Sequence, residues 1–87
     1  MKETSLTCPF CTKQHNAELH ESKFYNYDCE EFGHINISKR AITEFERHPN
    51  RIEATKTKAI ECKQKQAILK IIYQTTKGGL QTSCVIP

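Results

Sequence analysis

Cys8-Pro9-Phe10-Cys11 and, after fifteen intervening residues, Tyr27-Asp28-Cys29-Glu30-Glu31-Phe32-Gly33-His34 are the stretches that decide the fold. Two cysteines at that spacing can share one metal, because the tight turn between them brings both sulfurs to one side while backbone N–H groups point at them. The intervening chain is long enough for a hairpin, which returns Cys29 to the first pair. A second knuckle of the same form would carry a cysteine at position 32, where this chain has Phe32. The fourth ligand is therefore open. His34 is the first choice, one residue past Gly33, because imidazole reaches further than a thiol. His15 and His20 are alternatives, and His48 or Cys62 would serve only if later helices fold back onto the knuckles. Three protein ligands plus water would leave the open position of a catalytic ion.

Working outward, residues 14–21 and 24–28 flank Ser22-Lys23 and are expected to form a hairpin, its second strand favoured by aromatic residues. His34-Ile35-Asn36-Ile37 alternates polar and apolar and adds a third strand. Ser38 is a good N-cap for a helix through Ala41, Ile42 and Phe45, ending at His48-Pro49 because the residue before proline leaves the helical region. Asn50, with Glu53 three residues on, forms a capping-box variant that opens a second helix. That helix is expected to run to about Thr75 and to stop at Lys77-Gly78-Gly79. Leu80, Thr82, Cys84 and Ile86 alternate at period two, as an edge strand or loose tail would. The fold class is small α+β: a hairpin or three-stranded sheet followed by a short helix and a long one. All 87 residues form one domain, with a metal-binding part (1–38), a helical part (39–76) and a tail or edge strand (77–87).

Composition narrows the classes. Apolar residues make up 37% of the chain and tryptophan is absent, so a domain this small is expected to need a metal, disulfide or partner to hold it. No charged-then-apolar leader opens the chain, and no apolar run approaches the ~20 residues of a membrane span. Reduced thiols in the cytoplasm are thus the expectation, and an odd set of five cysteines favours metal over disulfides. Cys62 reads as a small core residue. Cys84 in the final Cys84-Val85-Ile86-Pro87 does not meet the usual prenylation pattern. The net charge of +3 is uneven: residues 1–38 hold three lysines against six carboxylates, residues 39–70 nine Lys or Arg against four glutamates.

Two functions from different classes follow, neither enzymatic. If residues 50–75 form one helix, it has two apolar sides, and Ile68, Leu69, Ile72 and Tyr73 form a surface for a partner protein or a second copy. On the same helix Lys56, Lys63 and Lys70 recur every seven residues. With Arg40, Arg47 and Arg51 they could contact phosphates, while Phe24, Tyr25 or Tyr27 stacks on unpaired bases. A lysine row is also what a solvated helix face looks like. The chain carries no His-Glu-x-x-His, phosphate-binding glycine loop or nucleophile elbow, and no small-molecule substrate is expected.

Cys8-Pro9-Phe10-Cys11, then Tyr27-Asp28-Cys29, then Gly33-His34-Ile35-Asn36-Ile37-Ser38 followed by Ala41, resembles bacterial and phage zinc-ribbon domains over residues 6–45. Those domains have a Cys-Pro-x-Cys knuckle, a returning aromatic strand, a second knuckle, an Ile-Ser step and a helix. The resemblance implies a zinc ion held by Cys8, Cys11, Cys29 and a fourth ligand. It also implies a small adaptor or regulator of the kind found in bacterial or phage conflict systems. Phe32 departs from the pattern.

Overall fold

The computed structural model describes residues 2–74 and 79–86. Eight elements run in the order β1 (Lys2–Thr7), β2 (Gln14–His20), β3 (Phe24–Cys29), β4 (Gly33–Ser38), α1 (Lys39–Arg47), α2 (Asn50–Gln64), β5 (Ile68–Gln74) and β6 (Gly79–Val85). The strands make one six-stranded sheet in sequence order. Every neighbouring pair is antiparallel except β4 and β5, which run parallel and are joined by a crossover through both helices.

Strict alternation divides the sheet. Tyr25 lies opposite Ile37 and Tyr27 opposite Ile35, while Ile35 and Ile37 align with Leu69 and Ile71 of β5. These residues face the helices, and Ile35, Ile37, Leu69 and Ile71 are completely buried against Ala41 and Phe45 of α1 and Ala59 and Cys62 of α2. The other face carries Phe24, Asn26 and Asp28 of β3, His34 and Asn36 of β4, and Ile68, Lys70 and Ile72 of β5, and no described element covers it. Central strands shielded on one side and wet on the other need this period-two pattern.

The first helix begins as its sequence predicts. Ser38 is extended, and its Oγ accepts from the Ala41 N–H at 3.1 Å. The hairpin turn sits one residue earlier than expected. Glu21 and Ser22 both have positive φ, and the Lys23 N–H closes the turn on the His20 carbonyl, a primed turn that matches strand twist.

Three expectations are corrected. The second helix does not reach Thr75; it stops at Gln64 and residues 68–74 form β5. Gln66 adopts a left-handed conformation (φ 56°). The Ala67 N–H then bonds back to the Cys62 carbonyl at 2.9 Å and the Gln66 N–H to Lys63 at 3.0 Å. That is a Schellman stop made without glycine, and the β-branched run behind it pairs with β4. Lys77 and Gly78, the expected stop, lie outside the described residues. The capping box also fails to form: Pro49 occupies the cap without a side-chain bond, and Glu53 pairs with Lys56 at 3.4 Å instead. The sheet is larger than three strands, because Lys2–Thr7 adds an edge strand along β2 and Gly79–Val85 pairs along β5.

The thiols are corrected too. Cys62 and Cys84 form a disulfide, with Cα atoms 5.3 Å apart. Cys62 is on the inner side of α2, and Cys84, opposite Leu69, is on the helix-facing side of β6. Leu69, expected on a partner surface, is wholly buried.

Candidate metal centre

The β1–β2 loop and the β3–β4 turn meet at one end of the sheet. There the ligand atoms of Cys8, Cys11, His15 and Cys29 all lie within 4.8 Å of one another. Three of the four expected ligands are thus together, and the fourth position goes to His15 instead of His34. Strand parity explains the exchange. Gly33 is opposite Cys29, so His34 is opposite Asp28 on the uncovered face, where its Nδ1 lies 2.8 Å from the Asp28 carboxylate. His15 is opposite Leu6 on the helix-facing side, and its ring stacks on Tyr27 with centroids 5.4 Å apart. Its Nε2 lies 3.2 Å from Cys11 Sγ. His20 sits at the far end of β2 near Glu18, His48 pairs with Glu44 beyond α1, and Cys62 is bonded to Cys84. The signal for His15 was its place four residues after Cys11, at the start of the returning strand.

Each loop is shaped around its sulfurs. The Thr12 N–H bonds to the Cys8 carbonyl, the Cys8 N–H bonds to Lys13, and Thr12 takes a left-handed conformation to close the turn. On the second loop, backbone N–H groups of Phe32 and Glu31 point at Cys29. Gly33, at φ 81°, completes that turn, and a Cβ there would press on Lys63 Cγ at 3.3 Å. Lys63 itself donates to the carbonyls of Glu30 (2.6 Å) and Glu31 (3.2 Å), fixing the loop to α2.

Phe32 has a structural task where a ligand was absent. Its ring packs edge-on against Phe10, 5.8 Å between centroids, and Phe10 packs likewise on Phe45 of α1 at 5.5 Å. The aromatic ladder joins both loops to the helix layer. Edge-to-face rings at these separations add about 0.5–1.5 kcal/mol per pair beyond burial.

The thiols are electrostatically unequal. Burial pushes the Cys11 thiol up, but hydrogen bonds from His15, the Lys13 backbone, Cys29 and Cys8 outweigh it and lower it from 9.0 to about 7. Burial carries the Cys29 thiol up to about 11, against the two backbone N–H groups and helped by Cys11 and the Cys8 charge. Tyr27 donates to Cys8 Sγ at 3.1 Å, and burial, then that bond, raises its phenol far above the ordinary value. Three thiols and one imidazole suit a soft, tetrahedral ion and disfavour magnesium or calcium, which prefer oxygen. Donor atoms all within 4.8 Å of one another are close enough to converge on one ion with ~2.3 Å metal–sulfur bonds.

The expected nucleic-acid residues do not form one surface. Lys70 is on β5, Lys63 is bound to the second loop, and Lys56, Lys58 and Lys65 pair with Glu53 or Glu61. Arg47 ends α1, and Arg51 lies near Gly79. Tyr27 is buried at the metal cluster. Of the expected partner surface, Ile68 and Ile72 stand on the uncovered face, and Tyr73 lies under Arg40 with 4.9 Å from guanidinium to ring centroid. No described helix is long and apolar enough to cross a membrane.

Compared with known proteins, the chain matches no family model, no curated protein and no solved structure.

Proposed function

We propose that the protein is a non-enzymatic zinc-binding module, a small adaptor or regulator whose metal ion shapes the fold and whose uncovered sheet face docks a partner protein. The observation that carries the zinc reading is the complete donor set. Cys8, Cys11, His15 and Cys29 supply four ligand atoms from two loops, enough for a structural tetrahedral zinc with no position left for water. A zinc ion there would tie the first three strands together, and a domain of this size benefits from such a staple.

Docking through the sheet is supported by apolar residues on a face that no described element covers. Ile68 lies opposite Val85, and Phe24 lies opposite Ser38, next to Ile72. Val85 is 41% exposed, and Phe24, Ile68 and Ile72 are half-buried beside it on this face.

Native mass spectrometry of the protein as purified from cells tests both parts. One zinc per chain together with a bound protein or a dimer is expected. The Ile68→Glu/Ile72→Glu variant should keep its zinc and lose the partner. A metal-free protein would overturn the zinc reading, and a double variant that keeps its partner would overturn docking through this face.

A further inference from the structure

At the end of the sheet away from the cysteines lies a second feature. Phe24 and Cys29 bound β3, so the two ends are about 17 Å apart at ~3.3 Å per residue. Here the β2–β3 turn, the end of β4, the start of α1 and the end of β5 surround a groove of about 410 Å³. Its walls include Lys23, Lys39, Arg40, Phe24, Ile72 and Tyr73. No carboxylate lines it among the described residues.

What the groove has is three cations gathered around one opening. On α2 and its cap, Lys56 pairs with Glu53 and Lys58 and Lys65 share Glu61. None of Lys23, Lys39 and Arg40 has a carboxylate partner among the described residues. All three are exposed. Lys39 and Arg40 also open α1, whose first turn holds no acidic residue. Cations there oppose the helix dipole, so the sequence concentrates positive charge at a place where local helix stability disfavours it.

The aromatic residues give the groove a second chemistry. Arg40 lies over one face of Tyr73, and Phe24 lines the groove beside Lys23. Phe24 and Tyr73 are half-buried walls. Cations that contact a backbone, beside aromatic surfaces that accept flat rings, are the two requirements of single-strand binding. A volume of 410 Å³ is in the range of ligand pockets, about 300–1,000 Å³.

We propose that this groove binds single-stranded nucleic acid, seating a nucleotide with its base against the aromatic wall and its flanking phosphates on Lys23, Lys39 and Arg40. The inference needs the fold of the zinc-stapled module and shares Phe24 and Ile72 with its docking face, and it moves nucleic-acid recognition from Lys56, Lys63 and Lys70 to the opposite end of the sheet from the metal.

The test is fluorescence anisotropy of the zinc-loaded full chain with a labelled 12-nucleotide oligothymidylate. Three phosphate contacts give a log–log salt slope of about −2, or roughly a twentyfold fall in affinity between 50 and 200 mM salt. Lys23→Gln/Lys39→Gln/Arg40→Gln should weaken binding by more than tenfold. Lys56→Gln/Lys58→Gln/Lys65→Gln, the same change in charge on α2, should weaken it less than threefold. Equal losses in both variants, or none in the first, would overturn the site. An abasic oligonucleotide of equal length, or a glutamate peptide of equal charge, should bind at least tenfold more weakly. Either one binding as tightly as oligothymidylate would overturn the nucleotide assignment. Zinc content is measured on the same samples. Loss of zinc from the wild type refutes the metal reading, whereas loss of oligonucleotide binding with zinc retained refutes only this one.

Discussion

His15→Ala separates the geometry from the spacing of the sequence. A structural zinc site contributes about 10–16 kcal/mol of apparent binding free energy, so one of four donors is worth roughly 3 kcal/mol, about a hundredfold in affinity. His15 places Nε2 3.2 Å from Cys11 Sγ within the four-residue cluster, so its loss should weaken zinc by about that factor. His34→Ala should leave zinc affinity unchanged. It removes only the partly exposed pair with Asp28, an interaction worth up to about 1 kcal/mol of stability. His15→Cys, which restores a fourth soft donor, should recover most of the affinity. Competition against a chromophoric chelator gives the affinities, and the visible bands of the cobalt-substituted protein report whether the tetrahedral site persists. An His15→Ala protein that holds zinc like the wild type, or an His34→Ala protein weakened a hundredfold, would refute the assignment.

Phe32→Ala should cost about 3–5 kcal/mol in zinc-saturated urea unfolding, as for other buried aromatics, and Phe32→Cys should also destabilise despite offering another thiol. A Phe32→Cys protein with tighter zinc binding and unchanged stability would show that the aromatic ladder is dispensable. The Cys29 thiol is raised from 9.0 to about 11 in the folded chain, so folding without metal holds this proton more tightly than the unfolded chain does. The resulting stability is present below pH 9 and lost as pH rises through 11. Zinc must expel the same proton, so its affinity should grow across that interval. Thermal melts and zinc titrations against pH check the two opposite slopes. Cys84→Ser opens a loop spanning 22 residues and should lower stability by about 3 kcal/mol on loop entropy. Equal urea midpoints with and without reductant would show that the bond does not form in solution.

The cysteine loops and the start of α1 were legible because their signals are local. Cys8, Cys11 and Cys29 announce their loops by spacing, and Ser38 caps α1 as its side chain suggests. The fourth ligand was harder because it depends on strand parity. Until Gly33 is known to lie opposite Cys29, nothing says that His34 turns away or that His15 turns in. Beyond residue 64 the lysines at 56, 63 and 70 continue a helical period, but that row is accidental. Gln66 stops the helix in a left-handed conformation usually taken by glycine, and a glutamine there gives no warning. The run Ile68-Leu69-Lys70-Ile71-Ile72-Tyr73 fits either a buried helix or a buried strand. Only its parallel pairing with β4, a long-range contact, decides between them. The disulfide follows from that same change, since β6 brings Cys84 over α2 only once β5 exists.

Parity also places both ties on the helix-facing side. A metal held by Cys8, Cys11, His15 and Cys29 would join β1, β2 and β3 through their loops, and the disulfide joins β6 to α2. Between them β4 and β5 are held by packing, with Ile35, Ile37, Leu69 and Ile71 fully buried. Each tie therefore restrains a different edge of one sheet, and removing either should open a different region. Chelation should speed amide exchange in β1 and β2 while leaving β5 and β6 protected. Reduction should speed exchange in β6, which then keeps only its pairing with β5 and the packing of residues such as Leu80 on the core, and leave β2 unchanged. Regions that open with little free energy are those with few buried contacts of their own, and both edge strands meet that description. If chelation and reduction instead exposed all six strands together, the sheet would be one cooperative unit, and neither tie could be treated as the support of its own edge.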